Sequence, residues 1–189
     1  MKPKLNKQSW LKHGLSELSQ NGSEALKADR LAKSLKVTRG SFYWHFDDLI
    51  DFHEQLLAYW QEMVTQQVIN DVDLLHDSRS KVRELVHQAF AGDVRLERAI
   101  RSWSAQNKMA SDATEFVDQK RIGYLAKLLI DEGLSSATAK ARAAFIYWAY
   151  LGQAMTPASS SEYLPHAALD QIIDLFLMPN SVVATTKTV

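Results

Sequence analysis

The stretch KVTRGSFYWHF, residues Lys36 to Phe46, combines four aromatic rings with an Arg, a His, a Gly and two small hydroxyl side chains. Phe42 and Phe46 are four residues apart, so a helix over Thr38–Phe46 places both on one face. Together with Val37, they form a candidate core. The other side chains of this predicted helix then lie on its remaining sides, so the stretch predicts one buried and one exposed face.

The preceding residues complete a recognisable unit. Leu31 and Leu35 are at helical spacing, and only Lys36 and Val37 separate them from Thr38, whose hydroxyl suits a helix N-terminus. Two short helices joined by a tight turn form a helix-turn-helix. Its second helix presents an Arg, a Gly and hydroxyls, which can donate to base edges and phosphates and let the backbone approach a DNA groove.

The charge is unevenly distributed along the chain. Overall the formal net charge is +0, but residues 1–46 hold nine Lys or Arg against three carboxylates, which gives +6 there and −6 in the remainder. A basic segment beside an acidic remainder indicates an anionic partner at one end, such as nucleic acid, a membrane surface or an acidic protein. Charge alone leaves these alternatives open.

The rest of the chain predicts an all-α protein. Across 189 residues, proline occurs only four times, apolar residues recur at helical spacing, and about nine helices can be delimited. The fourth runs from Asp47 and Asp48 to about Asn70. The absence of cysteine excludes thiol chemistry and fits a reducing, cytoplasmic setting. No apolar run approaches the ~20 residues of a membrane helix, so we expect no membrane-spanning helix, and the main prediction has no membrane partner.

Catalytic motifs are missing from the sequence. His53 and Glu54 lack the spacing of a zinc protease, and no phosphate-binding glycine loop or nucleophile elbow occurs. We therefore expect no enzyme, no cofactor and no metal.

The segment GSEALKADRLAKSLKVTRGSFYWHF, residues 22–46, resembles the DNA-binding domain of TetR-family transcriptional regulators. The resemblance rests on Leu31-Ala32, on the Val-Thr pair, on the basic residue followed by Gly, and on Tyr-x-x-Phe. Beyond residue 48 it is weaker and concerns architecture, with RAIRSWSAQN and ARAAFIYWAYLG similar to some members. The DNA-contacting residues that it implies are Lys27, Thr38, Arg39, Gly40, Ser41, Tyr43, Trp44 and His45. Trp44 could instead cover the junction with the first or fourth helix.

The sequence departs from this family at two positions. Lys27 replaces a helix-capping Thr but could still reach a phosphate, and Leu49 replaces a Lys that would contact the DNA backbone. Asp47 and Asp48 suit the N-terminus of the fourth helix, where carboxylates are stabilised.

The C-terminal part contains an uncharged run, AAFIYWAYL, over Ala143–Leu151. A helix that is apolar all round is buried on all sides, one face inside the subunit and the other against a second copy. The resemblance also implies pairing through the last helices, and the candidate dimer residues are Trp148, Leu151, Met155, Ile172 and Phe176. The resemblance also implies a central ligand cavity, and its candidate residues are Trp60, Met63, His87, Trp103, Gln106, Tyr124 and Tyr147. The alternative for each of them, which the residue types favour, is ordinary core. Gly123 either makes room for a ligand or, as we prefer, marks a close helix crossing.

These observations predict an N-terminal three-helix DNA-binding domain (1–47), a helical ligand-binding and dimerisation domain (48–178) and a tail (179–189). The predicted function is a sequence-specific, homodimeric transcriptional regulator that binds double-stranded operator DNA, a repressor released by an unknown small-molecule effector. The alternative is a helical binding protein whose basic end meets an acidic partner or a membrane surface. The operator, the effector and the regulated genes are not encoded in any recognisable motif.

Overall fold

The computed structural model describes residues 5–156 and 165–179. The described residues form ten α-helices and no β-strand, which confirms the all-α prediction. The predicted tail, apart from Pro179, lies outside them. The helices are α1 (Lys7–Asn21), α2 (Ala28–Ser34), α3 (Arg39–Tyr43), α4 (Leu49–Gln61), α5 (Gln67–Asp73), α6 (Ser78–Ala91), α7 (Arg95–Ser104), α8 (Lys108–Asp131), α9 (Ser136–Met155) and α10 (His166–Leu177).

Two short segments separate some of these helices. A 3₁₀ turn, Ser23–Ala25, lies between α1 and α2, and a π-helical segment, Glu62–Gln66, lies between α4 and α5. The single predicted fourth helix is therefore two α-helices with a π segment between them, which accounts for the tenth helix. Among the described residues, no helix is both long and apolar enough to cross a membrane.

The chain divides into two compact units. Unit 1 contains residues 5–70 and Gly92–Lys120, and unit 2 contains Asp71–Ala91, residues 121–156 and residues 165–179. Both α5 and α8 contribute residues to each unit. Each unit is therefore assembled from segments that are distant in sequence.

Unit 1 is built around one continuous apolar core. Trp10, Phe42, Phe52 and Trp60 are fully buried in it, and Ile100 of α7 joins the same cluster. Gly14 lets α1 approach α4 closely, since a Cβ there would lie 2.8 Å from Cζ of Phe52. The helix-turn-helix consequently shares its core with α4 and α7.

The turn between α2 and α3 has a defined hydrogen-bond pattern. The Val37 amide donates to the Ala32 carbonyl and the Lys36 amide to the Lys33 carbonyl, at 3.0 and 3.1 Å. This is the Schellman ending of a helix, which requires a left-handed residue after the helix. Lys36 adopts φ = 56°, so the chain places a lysine where glycine is the usual choice.

Helix α3, the second helix of the helix-turn-helix and below called the recognition helix, is shorter than predicted. Predicted for Thr38–Phe46, α3 ends at Tyr43, because the His45 amide bonds to the Phe42 carbonyl three residues back, at 2.9 Å, and the last turn tightens. Thr38 lies at the N-cap position, although its hydroxyl makes no capping bond. Asp48 does cap α4, as predicted, and its carboxylate accepts the Asp51 amide at 2.8 Å.

In unit 2, an ion-pair network joins α6 to α10. Arg83 binds the carboxylates of Asp170 and Asp174 at 2.5 and 2.6 Å, and Arg79 binds Asp174 at 2.6 Å. The hydrogen bond from His87 and then that from Arg83 lower the pKa of Asp170, and the bonds from Arg79 and Arg83 lower the pKa of Asp174. Arg142 of α9 donates to the carbonyl of Phe176 at 2.7 Å, which ties α9 to the end of α10.

The expected helix crossing at Gly123 is wrong. Gly123 is exposed on α8, and a Cβ built on it would meet no atom within 4 Å. No neighbouring helix therefore requires a glycine at this position.

Candidate nucleic-acid interface

Helix α3 is fixed by the rings on its buried side. Phe42 and Phe46 are 0% and 1% exposed, and the Phe42 ring packs edge-on against Trp10 at 5.5 Å and Phe52 at 5.2 Å. Aromatic pairs in this geometry add stability beyond the area that they bury. The two Phe side chains thus hold the short helix in one orientation, as the sequence predicted.

The opposite side of α3 faces solvent. Thr38, Arg39 and Gly40 are exposed, and Tyr43 and Trp44 are 43% and 72% exposed. Two large aromatic rings are thus exposed to solvent side by side, at the end of α3. Exposed apolar surface of this kind is typical of an interaction site. The exposure of Trp44 argues against its use as a cover for the first or fourth helix within the subunit.

Arg39 and Tyr43 form a pair on this face. The Arg39 guanidinium donates to the Tyr43 hydroxyl at 2.9 Å and lies 5.3 Å above the Tyr43 ring. Asp29 of α2 accepts from Arg39 at 3.2 Å. The Tyr43 hydrogen bond and then the Asp29 charge raise the pKa of Arg39. The guanidinium is therefore already oriented in the free protein, and its exposed contact with Asp29 can be exchanged for a DNA group at little cost.

Lys27 lies at the N-cap position of α2, and its side chain makes no capping bond. Its ammonium group pairs with Glu24 at 2.7 Å, which lowers the pKa of that carboxylate. A phosphate contact by Lys27 would have to compete with Glu24. The exposed Lys33 and Lys36 add further positive charge to the same helix-turn-helix.

The two remaining residues of the predicted face are half-buried. Ser41 is partly covered within α3. The His45 ring lies edge-on to Trp44 at 4.8 Å, and Nε2 of His45 is 3.1 Å from the Leu5 carbonyl. His45 thus connects the recognition helix to the chain before α1.

The sequence analysis did not predict the carboxylates that pair with Lys27 and Arg39. The pairing of Glu24 with Lys27 could have been found from their spacing of three residues. The pairing of Asp29 with Arg39 has no local signal, because these residues lie ten positions apart on different helices. The left-handed backbone of Lys36 likewise had no marker, since glycine is absent there.

The seven predicted ligand residues are divided between the units. In unit 1, Trp60 and Trp103 are buried in the core, whereas Met63 and Gln106 are exposed. The other three predicted ligand residues, His87, Tyr124 and Tyr147, lie in unit 2.

The three residues of unit 2 have partners of their own. His87 is half-buried with Nε2 at 2.9 Å from Asp170, and Tyr124 donates to Asp73 at 2.7 Å. Burial and then this bond raise the pKa of Tyr124. The buried Tyr147 packs against Tyr150 at 5.9 Å. A cavity of about 120 Å³ does exist in unit 1, but none of the seven predicted residues lines it.

The predicted dimer residues belong to α9 and α10. Trp148, Met155 and Ile172 are 64%, 44% and 36% exposed, and Leu151 and Phe176 are half-buried. Phe145 is also exposed, and its ring packs against Phe176 at 5.7 Å. Helix α9, predicted to be buried on every side, therefore has one buried and one exposed apolar face within the subunit.

Comparison with known proteins places these residues in a family context. The sequence profile of bacterial regulatory proteins of the tetR family matches residues 11–48, the segment that holds most of α1, α2 and α3. No curated protein sequence matches the chain.

Solved structures resemble the whole described fold. A transcriptional regulator from Rhodococcus sp. Rha1 superposes with a TM-score of 0.73 at 17% identity over 92% of this chain and 94% of that one. A regulator from Saccharomonospora viridis in complex with choline gives 0.69 at 12% identity, over 90% and 94%. A fatty acid degradation regulator from Bacillus halodurans gives 0.66 at 16% identity, over 94% and 96%.

Proposed function

Because this chain is a DNA-binding transcriptional regulator of the TetR family, we propose that it is a homodimeric repressor, released from its operator when a small molecule occupies its regulatory part. The observation that carries the DNA-binding half of this proposal is the exposed face of α3, held by Phe42 and Phe46. On this face Arg39 is presented by Tyr43. Such a repressor acts in the cytoplasm, where chromosomal DNA is accessible.

The proposed contacts divide by chemistry. Arg39 is suited to a base edge, since its planar fork can bond guanine in two places. Thr38, Ser41 and Tyr43 offer hydroxyls to phosphates or bases, and Gly40 lets the backbone approach. Lys27, Trp44 and His45 complete the proposed contact set. A dimer of such helices spans half-sites about 34–36 Å apart.

We propose residues 1–47 for DNA binding and 48–178 for ligand binding and dimerisation. This boundary is functional and not a break in packing, because the core of unit 1 runs from α1 through α4 to α7. A shift of α4 would therefore displace the helix-turn-helix, because the two share buried side chains. We propose that a bound effector shifts α4 and so changes the separation of the two α3 helices in the dimer, which releases the operator.

The test is fluorescence anisotropy of labelled duplexes taken from DNA that flanks the coding region. Wild-type protein is expected to bind one duplex specifically, with an affinity that falls steeply as salt rises. Arg39→Ala is expected to lose about 1–3 kcal/mol of binding free energy and to relax the base preference at one position.

Lys127→Ala is the matched control, because Lys127 is an exposed cation of unit 2. It removes the same charge and should leave operator affinity unchanged. Salt-independent binding, or equal losses in both variants, would favour a basic surface that meets an acidic protein or a membrane instead.

A further inference from the structure

A cavity of about 120 Å³ lies in unit 1, between the π segment and α8. Its walls include Gln61, Glu62, Thr65 and Gln66 on one side, and Phe116 and Lys120 on the other. Glu62 and Phe116 are exposed at its rim, whereas Thr65 is 2% exposed. This volume is several times the ~10–15 Å³ that one water molecule needs, which leaves room for a carboxylate group and a short apolar stem.

The hydroxyl of Thr65 has no hydrogen-bond partner among the described residues, although its Oγ1 is buried. In an α-helix, a threonine hydroxyl commonly bonds to a carbonyl of the preceding turn. Here the backbone is π-helical, and the Gln67 amide bonds to the Glu62 carbonyl five residues back. π segments are rare and occur often at functional sites, and buried polar groups without partners are equally rare in folded proteins.

Lys120 places a positive charge in the same cavity. Its ammonium group binds the neutral Oε1 of Gln66 at 2.7 Å and lies 5.8 Å from the centre of the Phe116 ring. Within the described residues no carboxylate lies within 4 Å of this ammonium group. An ammonium group has three N–H donors. Lys120, which donates to the amide oxygen of Gln66, can therefore still donate to a negatively charged acceptor.

We propose that this cavity binds the carboxylate of a small organic acid, with Lys120 as the charge partner and Thr65 as a hydrogen-bond donor. The apolar part of the acid then lies along the exposed ring of Phe116, which lines the cavity. This proposal rests on the proposed function, because the organic acid is the effector that releases the repressor. It also places the effector against the π segment that follows α4.

The test measures thermal unfolding of the full chain with a panel of carboxylates of two to eight carbons, with butanoate and benzoate included. Butan-1-ol and butan-1-amine at equal concentration and ionic strength serve as neutral and cationic counterparts. Carboxylates are expected to raise the Tm saturably, and the alcohol and the amine are not. Equal stabilisation by the amine, or no saturable effect from any carboxylate, would overturn the proposal.

Variants assign the effect to the two residues. Lys120→Met should weaken carboxylate binding at least about tenfold. Lys127→Met, which removes the charge of an exposed lysine on the same helix but outside the cavity, should leave it unchanged. Thr65→Val should raise the Tm of the free protein, because a buried hydroxyl without a partner is removed, and should lower carboxylate affinity. A Thr65→Val protein that is less stable and binds carboxylate as before would show a purely structural hydroxyl.

Operator binding is measured in parallel without carboxylate. Operator binding without carboxylate binding would refute the ligand class and leave the regulator intact. Carboxylate binding without operator binding would refute the proposed repressor and leave the cavity assignment intact.

Discussion

Gly40 shows what a single residue contributes to the recognition helix. It is exposed in α3, and the nearest atom to a Cβ built on it is the Thr38 hydroxyl at 3.9 Å. The fold therefore does not need a glycine here, unlike Gly14, where a Cβ would meet the Phe52 ring. In a helix, glycine is less favourable than alanine by up to ~1 kcal/mol. Its presence in α3 is explained if DNA approaches the backbone at this point.

We predict that Gly40→Ala separates stability from DNA binding. The free energy of unfolding should stay constant or rise by a few tenths to about 1 kcal/mol. Operator affinity should fall by about tenfold or more, because the added methyl group meets the DNA backbone. Chemical denaturation and anisotropy measure the two quantities.

Gly123→Ala is the matched control for this prediction. Gly123 is also an exposed helical glycine with open space around its α-carbon. The variant should gain similar stability and bind operator as the wild type does. If Gly40→Ala binds operator equally well, the backbone of α3 does not approach the DNA.

Helix α4 is the element that links the DNA-binding surface to the rest of unit 1. Its N-terminus is capped by Asp48, and its buried face carries Phe52, Leu56 and Trp60. His53 lies between them in sequence, half-buried, with Nε2 at 3.2 Å from the Leu26 carbonyl and its ring 5.1 Å from Trp103. One side chain thus holds α4 to the segment just before α2.

The pKa of His53 gives this contact a pH dependence. Burial lowers it below the ordinary 6.5, while the bond to the Leu26 carbonyl acts in the opposite direction. The unfolded chain therefore takes up a proton at a higher pH than the folded one. The stability that neutral His53 contributes is complete above pH 6.5 and is lost as the pH falls towards the folded value.

We predict that acidification from pH 7 to 5.5 lowers the free energy of unfolding less in His53→Gln than in the wild type. Glutamine can still donate to the Leu26 carbonyl but does not titrate. One proton accounts for at most about 1.4 kcal/mol per pH unit. Denaturation curves at several pH values measure this slope, and equal slopes in both proteins would show that His53 does not cause the effect.

Unit 2 exposes apolar side chains on α9 and α10 that a second copy of the chain could cover. Phe145, Trp148 and Met155 follow one face of α9, and Ile172 and Leu175 are exposed on α10. Contiguous apolar patches on the surface of a protein mark interaction sites. An isologous contact between two copies would cover this face and also pair two recognition helices.

We predict that Trp148→Asp produces a monomer, because a charge on this face cannot be buried in the interface without a partner. Sedimentation equilibrium should show half the wild-type mass, and operator affinity should fall because only one half-site is bound. Leu74→Asp is the matched control, since Leu74 is 78% exposed elsewhere in unit 2. A Trp148→Asp protein that remains dimeric would exclude this face as the interface.

The sequence by itself determined the all-α class, the helix-turn-helix and the inward direction of Phe42 and Phe46. These features depend on residues close together in the chain, through helical spacing, Gly22 at the end of α1 and the carboxylate of Asp48 at the start of α4. The eight proposed DNA contacts came from the family resemblance; seven of them lie within the eight positions 38–45 around α3.

Only the tertiary structure decided which distant groups meet. The Asp29 partner of Arg39, the contact of His53 with Leu26, and the cavity that brings Thr65 to Lys120 join residues that lie 10 to 55 positions apart. None of the predicted ligand residues lines that cavity. The physical reason is that helical periodicity fixes the faces of each helix, whereas the packing of the buried side chains decides which faces are neighbours.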